Sequence, residues 1–248
     1  MSSKENIDQN EALVAAIQLS QGVIEFNLDG TIISANQNFL DLMGYSLADI
    51  EGKHHKIFCS ETYANSQEYK AFWERLNQGK FDTGEYIRFG KDGEAVYIRA
   101  SYNPIIDENG QPYKVIKIAS DVTTLKLENA EAQSKVAAID LSQGTIEFAM
   151  DGTIITANES FLSTLGYSLD DIQGKHHSMF CDDAYAASEE YTKLWETLRS
   201  GTYHRGEFNR IGKNGRRLCI RATYNPIFNL KNEPVKVLKI AEDISKQR

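Results

Sequence analysis

The stretch GVIEFNLDGTIISAN at positions 22–36 decides the fold of this chain, because it recurs as GTIEFAMDGTIITAN at positions 144–158. The offset between the copies is 144 − 22 = 122 residues, and it is unchanged at Trp73 and Trp195, so no residue is inserted or deleted in between. Roughly half of the aligned positions are identical, which marks a repeated structural unit. A unit of this length carries its own hydrophobic core, whereas solenoid repeats are shorter and need neighbours. The sequence therefore predicts two copies of one domain.

Each copy shows strand-like alternation on both sides of a central helical stretch. Asp29 and Gly30 form a strong hairpin signal between two β-branched runs. Along the last run, Val115, Lys117 and Ala119 fall on one face of the strand. The strands predicted for the first copy cover residues 23–28, 31–35, 85–89, 96–106 and 113–122. The sheet is predicted to be antiparallel, with the helices between its second and third strands.

Helical signals occupy the centre of each copy and the stretch before it. Asn36 stands in the position of a helix cap, and the helix that it begins ends at Gly44. A longer amphipathic helix is predicted over residues 66–76. Residues 10–20 and 125–142 also favour helix.

Four segments follow from this pattern. They are an N-terminal helix at 1–20, a first domain at 21–123, a helical linker at 124–142 and a second domain at 143–246. The linker contains neither proline nor glycine, so it is predicted to be stiff rather than a loose tether. Val14 and Ile17, with their equivalents Val136 and Ile139, form one apolar stripe on these helices. Such a stripe either covers a sheet face or joins two chains into a homodimer.

Composition excludes several classes of partner and environment. The net charge of −8 provides no basic field, so nucleic acid is not expected as a partner. Three scattered cysteines do not make a disulfide framework, which predicts a reducing, cytoplasmic compartment. The start of the chain lacks the apolar core of a signal peptide, and no apolar run is long enough to cross a bilayer. Membrane insertion is therefore not expected.

The order of elements and a set of short motifs resemble the PAS superfamily, in particular the cytoplasmic PAS pairs of bacterial energy-taxis and biofilm-dispersion chemoreceptors. The motifs, each with its counterpart in the second copy, are DGTIISAN at 29–36, GYSL at 44–47, GKHHKIFC at 52–59, FW at 72–73, GKDG at 90–93 and KIASDV at 117–122. The resemblance implies an α+β fold of two tandem PAS domains joined by a helical linker. Each would be a five-stranded antiparallel sheet, with helices inserted between strands 2 and 3, that cups a small pocket.

The resemblance also implies a function. It predicts a sensory input module that binds a redox- or gas-responsive cofactor or a small ligand and passes a conformational change to a downstream signalling domain. A chemotaxis kinase and a coupling protein would be further partners. The alternative is a cofactor-free PAS interaction and dimerisation module of a chemoreceptor, a histidine kinase or a cyclic-di-GMP enzyme. Catalysis is not expected, because the chain has no P-loop, nucleophile elbow, HExxH motif or paired CxxC motif.

Paired histidines at 54–55 and 176–177 are the most conspicuous polar repeat. Resemblance to the aerotaxis receptor selects His55 and His177 as ligands of a haem iron, with haem b ahead of FAD and no cofactor as a third alternative. Adjacent residues of a helix point about 100° apart, so at most one histidine of each pair faces the pocket. The competing interpretation is that both histidines cap or support a helix start.

Three further pairs complete the candidate cofactor site or lie beside it. They are Trp73 and Trp195, Asn36 and Asn158, and Cys59 and Cys181. The tryptophans would wall a planar cofactor or, alternatively, fill the core. The asparagines are included among the cofactor-binding candidates, although helix capping is the better explanation of their position. The cysteines supply too few ligands for zinc and are interpreted as core thiols.

Overall fold

The computed structural model describes residues 3–246 of the chain, which form two compact units divided between residues 130 and 131. The division falls inside the helix that was predicted as the linker at 124–142. Of the predicted N-terminal helix at 1–20, residues 1 and 2 lie outside the described residues.

The first unit contains five strands. They are β1 (Gly22–Phe26), β2 (Ile32–Ala35), β3 (Asp82–Phe89), β4 (Ala95–Ile106) and β5 (Pro112–Asp121). Its α-helices are α1 (Ser3–Ser20), α2 (Gln37–Met43), α3 (Leu47–Ile50), α4 (Glu61–Ala64) and α5 (Gln67–Asn77), and a 3-10 helix covers His55–Phe58. The helices α2 to α5 follow the second strand and precede the third, as the sequence predicts.

The second unit repeats this order after α6 (Thr123–Ser142). Its strands are β6 (Gly144–Ala149), β7 (Ile154–Ala157), β8 (His204–Ile211), β9 (Arg217–Phe228) and β10 (Pro234–Asp243). Its α-helices are α7 (Glu159–Leu165), α8 (Leu169–Ile172), α9 (Asp183–Ala186) and α10 (Glu189–Arg199), and short 3-10 helices cover His177–Phe180 and Lys213–Gly215.

Both sheets have five strands with antiparallel pairing throughout. The strand order is β2-β1-β5-β4-β3 in the first unit and β7-β6-β10-β9-β8 in the second. The two-residue period of β5 places Val115, Lys117 and Ala119 in the core, as the alternation predicts. The predicted α+β fold with two five-stranded antiparallel sheets is confirmed.

Local signals explain the ends of α2. The side-chain oxygen of Asn36 accepts a hydrogen bond from the backbone N–H of Phe39 at 3.0 Å, which satisfies one of the free donors of the first turn. The helix ends at Gly44, whose φ of 71° lies in the left-handed region that glycine adopts at little cost. Asn158 caps α7 in the same way.

Each domain is attached firmly to the helix before it. The Asn36 amide donates to the carbonyl of Gln21 at 2.8 Å, just after the end of α1. Asn158 donates to Gln143 at 2.8 Å, just after the end of α6. The same asparagine that caps the first internal helix therefore also fixes the entering helix.

The exit of each domain is built from a second repeated contact. In the first domain, the backbone N–H of Tyr97 donates to the hydroxyl of Thr123 at 2.9 Å, where α6 begins. In the second domain, the backbone N–H of Cys219 donates to the hydroxyl of Ser245 at 2.9 Å.

Within residues 3–246, no helix is both long and apolar enough to span a membrane.

Candidate functional site

The two histidines of each pair have different roles. His54 precedes the 3-10 helix, and its Nδ1 accepts a hydrogen bond from the backbone N–H of Lys56 at 3.1 Å. His55 is the first residue of that helix and is wholly buried. The second domain repeats the arrangement with His176 as the cap and His177 in the core. One histidine of each pair is therefore buried and the other caps the 3-10 helix, and the buried one is the residue that the resemblance selects as a haem ligand.

His55 lies at the centre of a buried chain of hydrogen bonds, which we call the relay. Its Nδ1 is 2.9 Å from the hydroxyl of Tyr69 on α5, and its Nε2 is 3.1 Å from the hydroxyl of Tyr102 on β4. Arg88 on β3 donates through Nη2 to the same Tyr102 oxygen at 3.1 Å. The relay thus joins two strands, the 3-10 helix and α5 inside one core.

A guanidinium has no acceptor, so the Tyr102 oxygen accepts from Arg88, and the Tyr102 hydroxyl proton can be donated to Nε2 of His55. In the tautomer that receives this bond, the neutral ring carries its proton on Nδ1 and donates a hydrogen bond to Tyr69. Burial, followed by the nearby charges of Lys117 and Arg88, holds the pKa of His55 well below its ordinary value. The histidine is therefore neutral in the folded domain.

The second domain preserves the same relay. His177 lies 3.0 Å from the hydroxyl of Tyr191 and 3.0 Å from that of Tyr224, and Arg210 donates to Tyr224 at 3.0 Å. Burial raises the pKa of the Tyr191 hydroxyl to about 12. Because roughly half of the positions differ between the copies, this retention of a full buried network favours a shared purpose over accident.

A lysine lies buried beside the relay without a hydrogen-bond partner. Lys117 is wholly buried, and its Nζ lies 5.0 Å from the ring centre of Tyr102. Burial, followed by the charge of Arg88, lowers the pKa of Lys117 well below its ordinary value. Lys239 reproduces these features in the second domain. An unpaired buried amine is costly and requires an explanation.

No carboxylate pairs with the two buried basic side chains. Within the described side chains, no carboxylate oxygen forms an ion pair with Arg88 or Lys117. Arg88 donates through Nη1 to the carbonyl of Ile87 at 2.8 Å and through Nη2 to Tyr102, while its Nε has no partner. Each core therefore contains one buried guanidinium with donors in reserve.

The remaining candidates are parts of the core. Trp73 is 7% exposed and lies edge-on to His55 with ring centres 5.6 Å apart. The sulfur of Cys59 lies 3.8 Å from Nδ1 of His55. Burial raises the pKa of the Cys59 thiol, so this cysteine is not an activated thiolate. Trp195 and Cys181 occupy the equivalent positions.

The His55 ring does not fit a haem ligand in this arrangement. Iron ligation needs one free ring nitrogen, and both nitrogens of His55 are hydrogen-bonded to tyrosines. The ring centres of Phe26, Phe72 and Trp73 lie 5.3, 6.3 and 5.6 Å from that of His55, so close packing leaves no space for a planar haem or flavin. The same holds for His177. In residues 3–246, no cluster of three or more His, Cys, Asp or Glu side chains is arranged for a metal ion.

The cofactor-binding assignment of Asn36 and Asn158 is corrected by their hydrogen bonds. The oxygen of Asn36 accepts from the N–H groups of Val23 and Phe39, and its nitrogen donates to two carbonyls at the end of α1. Asn158 is engaged in the same way. No polar atom of either side chain is left for a cofactor, and their role as helix caps is confirmed.

A cleft in the first domain leads to the relay. It has a volume of about 410 Å³, and its lining includes Tyr63, Phe72, Tyr86, Glu85 and Arg88. We call it the β3 cleft, because three of these residues belong to β3. Neither His55 nor Trp73 lines it. Arg88 is the member of the relay that the cleft reaches.

Sequence reasoning missed Arg88, Tyr102 and Lys117 as polar members of the site. A signal for Lys117 was present, since it shares the strand face of Val115 and Ala119, and a lysine on a buried face is unusual. The pairing of Tyr102 with His55 depends on tertiary packing across 47 positions and had no local signal.

Comparison with known families matches residues 32–119 to the PAS fold and residues 143–246 to the PAS domain. The chain belongs to the PAS family. It consists of two PAS domains in tandem, which confirms the resemblance drawn from the motifs.

Two curated relatives extend this assignment. Biofilm dispersion protein BdlA of Pseudomonas aeruginosa is 38% identical over 232 residues, which cover 94% of this chain and 56% of that protein. The bacterioopsin transcriptional activator of Halobacterium salinarum is 26% identical over 110 residues, covering 44% of this chain and 16% of that protein. The chain therefore spans about half the length of the first relative and less of the second.

Solved structures show similar single domains. The PAS domain of a Colwellia psychrerythraea protein covers 46% of this chain and 98% of its own, with 22% identity and a TM-score of 0.42. A light-oxygen-voltage domain studied with a flavin analogue covers 49% of this chain and 96% of its own, with 22% identity and a TM-score of 0.39.

Proposed function

We propose that this chain is the sensory input of a cytoplasmic signalling protein of the chemotaxis type, in which the relay of each PAS domain responds to a small ligand. The response passes through α6 and onward to a signalling domain that works with a chemotaxis kinase and a coupling protein. The observation that carries this proposal is the relay itself, a buried polar network repeated in both domains with donors in reserve.

A route from the relay to the linker supports the proposal. Glu85 lies on the same strand as Arg88 and lines the β3 cleft. Its carboxylate pairs with Lys126 on α6, and the start of α6 is also bonded to β4 through Tyr97 and Thr123. A shift of β3 would therefore change the contacts that hold the first turns of α6. An exposed ion pair contributes only about 0–1 kcal/mol, so it can form and break at little cost.

The similarity to the Pseudomonas protein supplies the context. That relative is named for biofilm dispersion, and the matched part is about half of its length. We therefore infer that this chain serves as the sensing half of a dispersion or taxis protein.

A chimera tests the proposal. The part of BdlA that matches this chain is replaced by residues 1–248, and biofilm dispersion is measured in Pseudomonas cells lacking their own copy. We expect the chimera to restore dispersion and the double variant His55→Phe, His177→Phe to lose the response, because the relay needs both ring nitrogens. Asn36→Ala, which weakens the first domain outside the relay, is the control for reduced stability. A functional chimera whose response is unchanged by the double histidine variant contradicts the sensing role of the relay.

Insertions that rotate the second half of α6 about its axis provide a second test with the same chimera. One residue inserted after Gln133 rotates the rest of α6 by about 100°, whereas seven residues add about two turns and restore the phase. We expect dispersion to fail with the single insertion and to return with seven. Equal responses in both would contradict transmission through a rigid helix.

The apolar stripe favours a second function, dimerisation. Leu13 and Val14 on α1 are 62% and 52% exposed, and Val136 on α6 is 58% exposed. Exposed apolar side chains at helical spacing are typical of helices that pair with a second chain. Sedimentation of the double variant Val14→Glu, Val136→Glu is expected to give a monomer where the natural chain gives a dimer. Ala138→Glu, about 200° around α6 from Val136, is the matched control.

A further inference from the structure

We propose that the β3 cleft of the first domain binds a small monocarboxylate, whose carboxylate takes the unused donors of Arg88. This inference rests on the proposed function, since it names the ligand class to which the first domain responds. The arguments concern the donor, the walls and the local charge.

Arg88 is a preorganised donor. It is 3% exposed, and hydrogen bonds through Nη1 and Nη2 hold the guanidinium in place. Two of its five N–H donors are used by these bonds, and Nε has no partner. A carboxylate matches the fork of a guanidinium with two parallel hydrogen bonds, and burial strengthens such bonds.

Aromatic rings form the walls beside this donor. The guanidinium carbon lies 4.9 Å from the ring centre of Tyr86 and 5.7 Å from that of Tyr63, and Phe72 lines the cleft as well. The volume of about 410 Å³ falls in the usual range for small-molecule sites. These walls suit a flat or short apolar body attached to the carboxylate.

Two of the acidic residues that line the cleft form ion pairs with basic side chains. Asp82 pairs with Arg75 at 3.7 Å and accepts a hydrogen bond from the hydroxyl of Tyr86 at 3.0 Å. Glu85 pairs with Arg99 at 3.0 Å and with Lys126. A further lining carboxylate, Glu68, is exposed and therefore screened by solvent and salt. The charge of Arg88 is left without a partner of opposite sign, which favours an anion.

The second domain offers a natural comparison. It retains the buried guanidinium at Arg210, but the residues equivalent to Phe72, Asp82 and Tyr86 are Leu194, His204 and Phe208. His204 lies against the ring of Phe208, with centres 5.9 Å apart. The relay is thus common to both domains, whereas the lining of the cleft is specific to the first.

Calorimetry on the whole chain tests the proposal with sodium benzoate as the probe and benzamide as its uncharged analogue, at constant ionic strength. We expect benzoate to bind at one site and benzamide to bind at least about tenfold more weakly, because a buried charged hydrogen bond is lost. Arg88→Met is expected to weaken benzoate binding at least about tenfold, and Arg210→Met is expected to leave it unchanged.

If Arg88→Met does not fold, NMR spectroscopy of the natural chain still tests whether benzoate binds at Arg88. The Nε–H resonance of Arg88 is expected to shift on addition of benzoate, and that of Arg210 is expected to stay. Equal binding of benzoate and benzamide, a shift of Arg210 alone, or no binding of benzoate at about 10 mM would overturn the proposal. In each of these cases the chimera can still respond through the relay, so the failure of this ligand class is distinguishable from the failure of the sensing role.

Discussion

Replacing Lys117 with methionine should stabilise the first domain. The amine is wholly buried and its Nζ has no hydrogen-bond partner, while the aliphatic stem is already packed in the core. Removing an unsatisfied buried polar group recovers about 1–3 kcal/mol, and methionine fills a similar volume. We therefore expect the free energy of unfolding of Lys117→Met to exceed that of the natural domain by at least about 2 kcal/mol near neutral pH.

The pH dependence of this gain provides the sharper check. The folded pKa of Lys117 is depressed, so between that pKa and about 10.4 the unfolded chain binds more protons than the folded one. The natural domain then gains stability as the pH rises, by about 1.4 kcal/mol per pH unit, while the methionine variant lacks this gain. The difference between the two proteins should therefore shrink toward high pH.

The assay isolates one domain at a time. The chain has two tryptophans, one in each core, so a Trp195→Phe background leaves Trp73 as the reporter of the first domain. Urea unfolding is followed by fluorescence between about pH 7 and pH 8.5. Within this window His55 and Cys59, whose pKa values are lowered and raised, stay neutral in the folded domain.

Two outcomes would refute the reasoning. A loss of stability in Lys117→Met would mean that the amine has an acceptor in the folded domain. A difference that does not change with pH would mean that the lysine is charged there. Lys239→Met in the second domain, measured in a Trp73→Phe background, is the matched repeat.

Three other predictions concern the cofactor, the helix cap and the linker contact. Protein expressed with haem and riboflavin supply should show neither a Soret band nor a flavin band, since both ring nitrogens of His55 are hydrogen-bonded and the rings packed around it leave no space for a flavin; either band at full occupancy would contradict this. Asn36→Ala should lower the free energy of unfolding of the first domain by about 1–3 kcal/mol in a denaturant titration, because a cap and the partner of a strand N–H are lost together. An unchanged titration would argue against that double role. Glu85→Gln should increase amide exchange in the first turns of α6 while changing global stability by less than about 1 kcal/mol, and unaltered exchange would count against the Lys126 contact as a route.

Most of the fold could be predicted because its signals are local. Asn36 and Gly44 mark the two ends of α2 through their own hydrogen bonding and backbone preference. Strand alternation places Lys117 on the core face together with Val115 and Ala119. Helix geometry limits each pair to at most one inward histidine, and the resemblance rather than a local signal selects His55.

The chemistry of the site could not be predicted in the same way. Tyr69 and Tyr102 reach His55 from a helix and from a strand, and only the packed core brings their hydroxyls to its two nitrogens. A histidine with one nitrogen free would have suited iron, and nothing in the sequence distinguishes the two situations. Arg88 looks like any polar residue of an edge strand until its burial is known.

The repeated junctions at Asn36 and Asn158 make the domain interchangeable as a building block. Ser20 stands before Gln21 just as Ser142 stands before Gln143, so removing residues 21–142, one period of 122, would join α1 to the second domain through a native junction. A shortened chain of this kind is expected to fold as a single PAS domain with its entering helix, and failure to fold would show that the copies depend on each other. The exit at Ser245 repeats the exit at Thr123, so each copy carries the same contact at its end as well as at its start. Duplication of the gene segment therefore adds a whole domain with both of its junctions intact.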